Sequence, residues 1–190
     1  MPPMDSPMAP SRKHRKPRSK RPAPVSPIPP GYRTVTAYLT VDGGLAALEF
    51  YKHAFGAREL MRRVTPDGKL IHGQLRIGDS IVLLSDRFPD STTAAPSAIG
   101  TTTVSLHLYS KNVDALWDRA VAAGAKVSMP LENQFWGERY GRLIDPFGHH
   151  WSLAMRVRMS RAEMAAKQRE AEASFARGEH PSRDSPYGDA

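Results

Sequence analysis

The chain has 190 residues, a net charge of +8 and no cysteine. This length suits one domain or two small repeats that share a core, and the composition excludes disulfides and thiolate metal sites. No apolar run reaches the roughly 18 to 20 residues of a membrane helix, and the N-terminus lacks the apolar stretch of a secretory signal. We therefore expect a cytoplasmic protein that does not enter a membrane.

Most of the positive charge lies in an N-terminal tail. Residues 1–31 carry seven Lys or Arg and one Asp, whereas the rest of the chain carries 20 basic and 18 acidic side chains. The tail is rich in proline and poor in large apolar residues, so we predict that residues 1–31 are disordered. One interpretation is weak polyanion binding through residues 12–21. The other is a solvated extension or a misassigned start, which the lack of interleaved aromatic residues favours.

The first regular pattern begins at residue 32. The segment YRTVTAYLTV alternates strictly, which predicts a strand with Val35, Ala37, Leu39 and Val41 on its apolar face. Apolar residues at helical spacing follow over 45–55, and Gly56 stands where a helix usually ends. Three strands joined by short turns are then predicted over residues 58–65, 69–77 and 80–85.

The same order of elements occurs a second time. TTTVSLHLYS alternates over residues 101–110, with Val104, Leu106 and Leu108 on its apolar face, and Asn112 is placed to cap a helix that ends at Gly124. Strands are predicted over residues 126–130, 139–144 and 149–155. An offset of 69 positions superposes Thr36 on Ser105 and Leu83 on Ser152. A βαβββ unit therefore occurs twice.

These patterns predict an α+β protein. Two βαβββ modules, residues 32–87 and 101–157, would form a cup-shaped curved mixed sheet with the helices on its outer face. Together they make one domain over residues 32–158. A capping box from Ser160 to Glu163 begins a C-terminal helix within residues 159–178. Residues 179–190 are predicted to be a second disordered tail.

Three segments resemble the vicinal oxygen chelate superfamily of glyoxalases, bleomycin-resistance proteins and extradiol dioxygenases. They are LEFYKHAFGA, IHGQLRIGDSIVLLSD and FWGERYGRLIDPFGHHWSLA. Their order and connections are most similar to the PhnB-like branch, over residues 28–158. The resemblance implies paired βαβββ modules that form a cup, and commonly a homodimer.

The resemblance also implies where a metal would bind. Metal-dependent members hold their ion through His, Glu or Gln on the first and last strands of each module. The matching positions here are Thr36, Leu83, Ser105 and Ser152. None of these is a usual ligand for a divalent metal at such a site, so we expect no metal there.

Two adjacent histidines precede the last apolar run. Neighbouring residues in a strand point to opposite faces, so His149 and His150 cannot both face one cavity. If Ser152 faces the cup, His150 does as well, while His149 and Trp151 face the helices. The pair is therefore not predicted to clamp a metal.

Strand parity nominates the residues that line the cup. They are Tyr38, His72, Gln74, Arg76, His107, Tyr109 and His150, with Tyr140 and Arg142 added if the register holds around Gly137 and Gly141. His72, His107 and His150 are candidates for general acid or base catalysis or ligand contact. The simpler interpretation is a set of hydrogen-bonded polar residues in a wet cavity. Trp136, beside Phe135, would form an apolar lid or fill the rim.

Three functions remain open from the sequence. The leading hypothesis is a metal-independent protein that binds a small molecule, with catalysis uncertain. The second is a metal-dependent lyase, isomerase or dioxygenase that holds a divalent metal at a displaced site of His72, His107 and His150. The third is a nucleic-acid-associated protein that uses the tail.

The nominated lining also predicts the charge of the ligand. Arg76, Arg142 and three histidines are basic, and no Asp or Glu was nominated. Such a cavity favours an anion, because burying a carboxylate or phosphate requires donors and positive charge. We therefore expect a modest carboxylate, phosphonate or phenolate, rather than a cationic drug such as bleomycin.

Overall fold

The computed structural model describes residues 25–178. The chain divides into two units between Pro30 and Gly31, and the helices and strands found within residues 25–178 lie in the second unit. In the described part of the first unit, the Ser26 hydroxyl donates to the Ile28 carbonyl over 2.8 Å. No helix within residues 25–178 is long and apolar enough to cross a membrane.

The elements follow the predicted order with one addition. The first module consists of β1 (Ala37–Val41), α1 (Gly44–Phe55), β2 (Arg58–Val64), β3 (Leu70–Ile77) and β4 (Ser80–Asp86). A short helix that the sequence did not predict, α2 (Pro96–Ile99), lies between the modules. The remaining elements are β5 (Ser105–Tyr109), α3 (Val113–Ala122), β6 (Lys126–Gln134), β7 (Glu138–Ile144), β8 (His150–Arg156) and α4 (Arg161–Ala176).

The strands form two open, four-stranded mixed sheets. Their orders are β1-β4-β3-β2 and β5-β8-β7-β6. In each sheet the first and last strands of the module pair in parallel, and the other pairs are antiparallel. Tyr38 pairs with Leu83 in the first sheet, and His107 pairs with Ser152 in the second. These pairs differ by 69 positions, so the predicted α+β class with a repeated βαβββ unit is confirmed.

One apolar core is shared by the two modules. Leu48 and Tyr51 of α1 are fully buried, as are Leu84 of β4 and Leu153 of β8. The face that each strand turns toward the helices is therefore apolar, and each large side chain buried there stabilises the fold by about 1.5–3 kcal/mol. The opposite face of each sheet is left for polar residues.

Both predicted helix ends are confirmed by their backbone and side-chain contacts. Gly56 adopts a left-handed conformation with φ of 63°, and its amide donates to the carbonyl of Tyr51 at the end of α1. The Asn112 side chain accepts a 3.2 Å bond from the amide of Ala115 and so caps α3. Each bond satisfies a backbone group that the helix itself leaves without a partner.

The first strand of each module is shorter than predicted. The alternation predicts Val35 and Val104 on apolar strand faces, but the two residues precede β1 and β5 and are 85% and 63% exposed. The parallel ladders begin at Ala37 and at Ser105. The alternation of apolar and polar residues thus begins before β1 and β5 have partner strands to pair with. In contrast, β6 continues four residues beyond its predicted end and accommodates Pro130 within the register shift between Met129 and Glu132.

The predicted C-terminal helix is present as α4. The Ser160 amide donates to Glu163 Oε2 over 2.7 Å, and the Glu163 amide donates to the Ser160 hydroxyl over 3.2 Å. This reciprocal pair is the capping box that the sequence indicated. The predicted disorder at the two ends falls mainly on residues 1–24 and 179–190, which lie outside the described residues, so it stays a prediction.

Candidate functional site

The side of the first sheet that faces away from α1 carries four of the nominated residues. We call this side, with Tyr38, His72, Gln74 and Arg76, the first face. Along β3 these polar residues alternate with the buried Gly73, Leu75 and Ile77. The period of two therefore separates an apolar side under the helix from a polar side in the open.

Hydrogen bonds link three side chains of the first face in a row. The Tyr38 hydroxyl lies 3.1 Å from His72 Nδ1, and Gln74 Nε2 lies 3.1 Å from His72 Nε2. If the Gln74 amide donates to Nε2, a neutral His72 carries its proton on Nδ1 and donates it to the Tyr38 phenol. This row fixes the imidazole and leaves the phenol proton free for a ligand.

Arg76 occupies the end of the first face nearest the β3–β4 turn. Its Nε is buried and has no hydrogen-bond partner among the described residues. A Cβ built on Gly31 would lie 2.9 Å from Arg76 Nη2, so the guanidinium lies against the backbone of that glycine. The absence of a side chain at residue 31 therefore makes room for Arg76.

The corresponding side of the second sheet is the second face, with His107, Tyr109, Glu138, Tyr140 and Arg142. His107 Nδ1 lies 2.7 Å from the Ser152 hydroxyl, which is buried at the centre of the sheet. The imidazole stacks on Tyr140, with ring centroids 6.0 Å apart, and meets the edge of Tyr109 at 4.6 Å. His107 is thus held by one hydrogen bond and two aromatic rings.

Sequence reasoning missed Glu138. Its Oε1 accepts a 2.7 Å bond from the Tyr109 hydroxyl, and its Oε2 accepts a 2.9 Å bond from Trp136 Nε1. Glu138 shares strand parity with Tyr140 and Arg142, so the alternation that nominated those two also contained a signal for Glu138. The carboxylate ties Trp136 to the second face, and its hydrogen bond raises the pKa of the Tyr109 phenol.

Gly141 determines which way its two neighbours point. A Cβ at this position would lie 2.6 Å from the Trp117 ring of α3 and 2.9 Å from the Leu131 backbone. The close approach of α3 therefore requires glycine. Tyr140 and Arg142 consequently project to the opposite side, where Arg142 Nε donates to the Tyr140 hydroxyl over 2.8 Å.

The two adjacent histidines lie on opposite sides of the second sheet. His149 is buried, and its Nε2 lies 3.1 Å from the Thr40 carbonyl of the first module. His150 is half-buried, and its Nε2 has no partner among the described residues. Burial, followed by the charge of Arg142, lowers the pKa of His150, which keeps the imidazole neutral.

The residues at the implied metal positions do not fit a metal. Leu83 and Ser152 lie at the centres of their sheets, and Ser105 begins β5, but none of them offers an imidazole or carboxylate. Within residues 25–178 no three His, Asp or Glu side chains converge as ligands. His72 and His107 belong to different sheets and bond to Tyr38 and Ser152 instead.

Two grooves lie beside the edge strands β1 and β5. One, of about 470 Å³, is lined by Val35, Ala37 and Leu106 together with His107 and Tyr109. The other, of about 380 Å³, is lined by Tyr38, Thr40 and Thr93, among others. The remaining nominated residues do not line these two grooves. Trp136 lines a separate cavity of about 680 Å³. The others lie along β3, β7 and β8: His72, Gln74, Arg76, Tyr140, Arg142 and His150.

The fold and the two polar faces define a protein built from paired βαβββ modules. Residues 34–153 match the family model of the Glyoxalase/Bleomycin resistance protein/Dioxygenase superfamily. The chain belongs to that superfamily, and the predicted family is confirmed.

Three similar proteins illustrate this relationship. Protein Rv0887c of Mycobacterium tuberculosis is 47% identical over 127 residues, which are 65% of this chain and 75% of that protein. The crystal structure of TioX from Micromonospora sp. ML1 is 27% identical, covers 64% of this chain and 97% of TioX, and has a TM-score of 0.53. The PhnB protein from Bacillus cereus, 18% identical over 65% of this chain and 99% of its own, shares the fold with a TM-score of 0.53.

Proposed function

We propose that this protein binds a small anionic organic molecule on its two polar faces without a metal ion. The observation that carries the proposal is the row Tyr38–His72–Gln74, in which two contacts of 3.1 Å hold the phenol and the imidazole in place on the first face. His107 is held in the equivalent region of the second face. Fixed polar groups beside apolar grooves are typical of small-molecule sites.

The charges of the two faces support an anionic ligand. Arg76 makes no ion pair within residues 25–178, and Arg142 donates to a neutral phenol. Glu138 adds a negative charge that was not expected, but both of its oxygens already accept hydrogen bonds from aromatic side chains. An anion would therefore find unpaired guanidinium groups, whereas a cation would compete for an occupied carboxylate.

Metal analysis and ligand titration test this proposal together. Protein purified without chelator is expected to contain far less than one equivalent of nickel, zinc, iron or manganese. Calorimetric titration with small organic acids is expected to give saturable binding that Tyr38→Phe weakens, while Tyr32→Phe, which changes a tyrosine ahead of β1, serves as the control. Stoichiometric metal that is lost on His72→Ala, or tight bleomycin binding without any binding of acids, would contradict it.

The metal-dependent alternative has no supporting observation in the described residues. A lyase, isomerase or dioxygenase of this kind needs three ligands that converge, and residues 25–178 contain no such group. Thermal unfolding across a panel of divalent metals tests the alternative. Stabilisation by one metal that disappears in both His72→Ala and His107→Ala would favour it over the proposal above.

Nucleic-acid binding through residues 12–21 stays a prediction, because these residues lie outside the described part of the chain. Deleting residues 1–24 is expected to abolish any binding to duplex DNA and to leave the far-ultraviolet circular dichroism of the domain unchanged. Binding that persists with the same salt dependence would show that the tail is not responsible.

We also propose that the protein forms a homodimer in the cytoplasm. Val35 and Val104 occupy equivalent positions beside the edge strands β1 and β5 and are largely exposed. Apolar residues next to strand edges are typical of protein interfaces. Sedimentation of Val35→Lys/Val104→Lys is expected to give a monomer, whereas Val121→Lys on the exposed side of α3 keeps the dimer.

A further inference from the structure

Two arginines are cross-strand partners in the outer strands of the first sheet. Arg58 of β2 is the direct cross-strand partner of Arg76 of β3. Directly opposed residues of an antiparallel pair share one side of the sheet, with their Cβ atoms about 5 Å apart. Arg63 is likewise opposite His72. The outer rim of the first face therefore carries two arginines, Arg58 and Arg63, with Met61 between them.

No carboxylate within residues 25–178 neutralises these arginines. The described residues give Arg58, Arg63 and Arg76 no ion pair, whereas their neighbour Arg62 bonds to Glu59 over 2.8 Å. Glu59 also contacts Lys52 of α1 at 3.4 Å, so the acidic residue of β2 lies on the helix side. A register shift between Glu59 and Met61 changes the parity of β2, so that Arg58 and Arg63 share the polar side of the sheet, whereas Glu59 and Arg62 share the helix side.

Like charges placed directly opposite each other destabilise a sheet. An anion between Arg58 and Arg76 would convert this repulsion into two attractions. The Arg76 guanidinium lies against Gly31, and its buried Nε has no hydrogen-bond partner among the described residues. The guanidinium can therefore turn toward an anion on the Arg58 side without breaking a hydrogen bond to that part of the protein. These are independent observations, one of charge and one of hydrogen bonding, and both indicate a ligand rather than a protein contact.

We propose that Arg58 and Arg76 bind a dianionic group of the ligand, such as a phosphate monoester or a phosphonate, with Arg63 at the rim. Two planar guanidinium groups offer paired N–H donors that match the oxygens of a tetrahedral anion. A group with two negative charges balances both arginines, whereas a single carboxylate balances one. The inference rests on the proposed function, because the first face would hold the rest of the same ligand through Gln74 and Tyr38.

A matched pair of probes tests the charge of the group. Phenyl phosphate and benzenesulfonate share a ring and a tetrahedral anion, but at about pH 8 the first carries two negative charges and the second carries one. Titration of the full chain is expected to show phenyl phosphate binding about tenfold more tightly than benzenesulfonate. Equal affinities would overturn the assignment of a dianion site.

Matched variants locate the site. Arg58→Gln and Arg76→Gln are each expected to weaken phenyl phosphate binding about tenfold, whereas Arg62→Gln, on the same strand but on the helix side, changes it by less than about twofold. All variants keep the basic tail, so any phenyl phosphate that binds to the tail binds equally well in the parent and in Arg58→Gln. Without ligand, Arg58→Gln is expected to unfold at a higher temperature than the parent because it removes the repulsion. Equal binding by all three variants would place the site elsewhere.

The outcomes separate this inference from the proposed function. If monoanionic acids bind in a manner sensitive to Tyr38→Phe but phenyl phosphate has no advantage, the dianion site is wrong and the proposed function stands. If neither phenyl phosphate nor any organic acid binds, both are wrong.

Discussion

The phenol of Tyr51 on α1 donates a 2.7 Å hydrogen bond to Oδ2 of Asp145, 94 residues further along the chain. Tyr51 is fully buried, and Asp145 is 3% exposed. The same carboxylate accepts from Trp151 Nε1 and from the amides of Phe147 and His149. It therefore fixes the β7–β8 turn and joins the second module to the helix of the first. Burial raises the pKa of Tyr51, and the charge of Asp145 raises it further.

Tyr51→Phe is expected to lower the free energy of unfolding by about 1–3 kcal/mol, because a buried carboxylate oxygen loses one of its two side-chain donors. Urea unfolding measures the difference. Tyr109→Phe is the control, since it removes an exposed phenol that also bonds to a carboxylate, and it is expected to change stability little. Equal changes in the free energy of unfolding for Tyr51→Phe and Tyr109→Phe would mean that the buried contact between the modules stabilises the fold no more than an exposed hydrogen bond does.

Asp86→Asn is expected to destabilise the start of α1. The Asp86 carboxylate accepts 2.8 Å bonds from the amides of Gly43 and Gly44 and a 2.6 Å bond from the amide of Leu70. An asparagine retains one acceptor oxygen and directs an N–H₂ group at a backbone donor, which costs about 1–3 kcal/mol. Hydrogen exchange is expected to accelerate at these three amides first, while the amides of α3 keep their protection at low denaturant. Unchanged exchange at Gly44 would contradict this account.

Gly141→Ala is expected to destabilise the fold by about 1–3 kcal/mol, because the new methyl group would overlap the Trp117 ring. Near-ultraviolet circular dichroism is expected to change as the indole moves. The same substitution is expected to cost less in a Trp117→Leu background, where part of the overlap is removed. An identical cost in both backgrounds would show that Trp117 is not the residue that requires glycine.

His150 is expected to make the protein less stable in mild acid. Its pKa in the folded protein lies below the ordinary value of 6.5, so the unfolded chain binds more protons at this residue. The free energy of unfolding is therefore fully retained above about pH 6.5 and falls as the pH decreases through the folded pKa. Urea unfolding at about pH 8 and about pH 5 is expected to show a smaller loss for His150→Gln than for the parent. The difference between the parent and His150→Gln at the higher pH gives the effect of the substitution itself on the free energy of unfolding. If the two proteins lose equal stability between the two pH values, His150 is not the cause of the loss.

Within each module, the order of the elements and the sides of the strands could be predicted from the sequence alone. Alternation in β3 predicted that His72 and Gln74 lie opposite Leu75, since a period of two is a property of any extended strand. The equivalence of Tyr38 with His107 also followed from the sequence, because the 69-residue repeat needs no knowledge of packing. Helix ends at Gly56 and Asn112 were predictable for the same reason: their signals lie within a few residues of the helix.

Features that depend on partners distant in the chain could be seen only in the folded structure. Val35 continues the apolar alternation, but its exposure follows from where the ladder with β4 begins. The bond between Tyr51 and Asp145 joins residues that carry no local signal for each other. The opposition of Arg58 and Arg76 depends on a register that shifts within β2, and a shift of one residue moves a side chain to the other side of a sheet. Periodicity is local and can be read from the sequence, whereas register is set by the packing of both strands against the core.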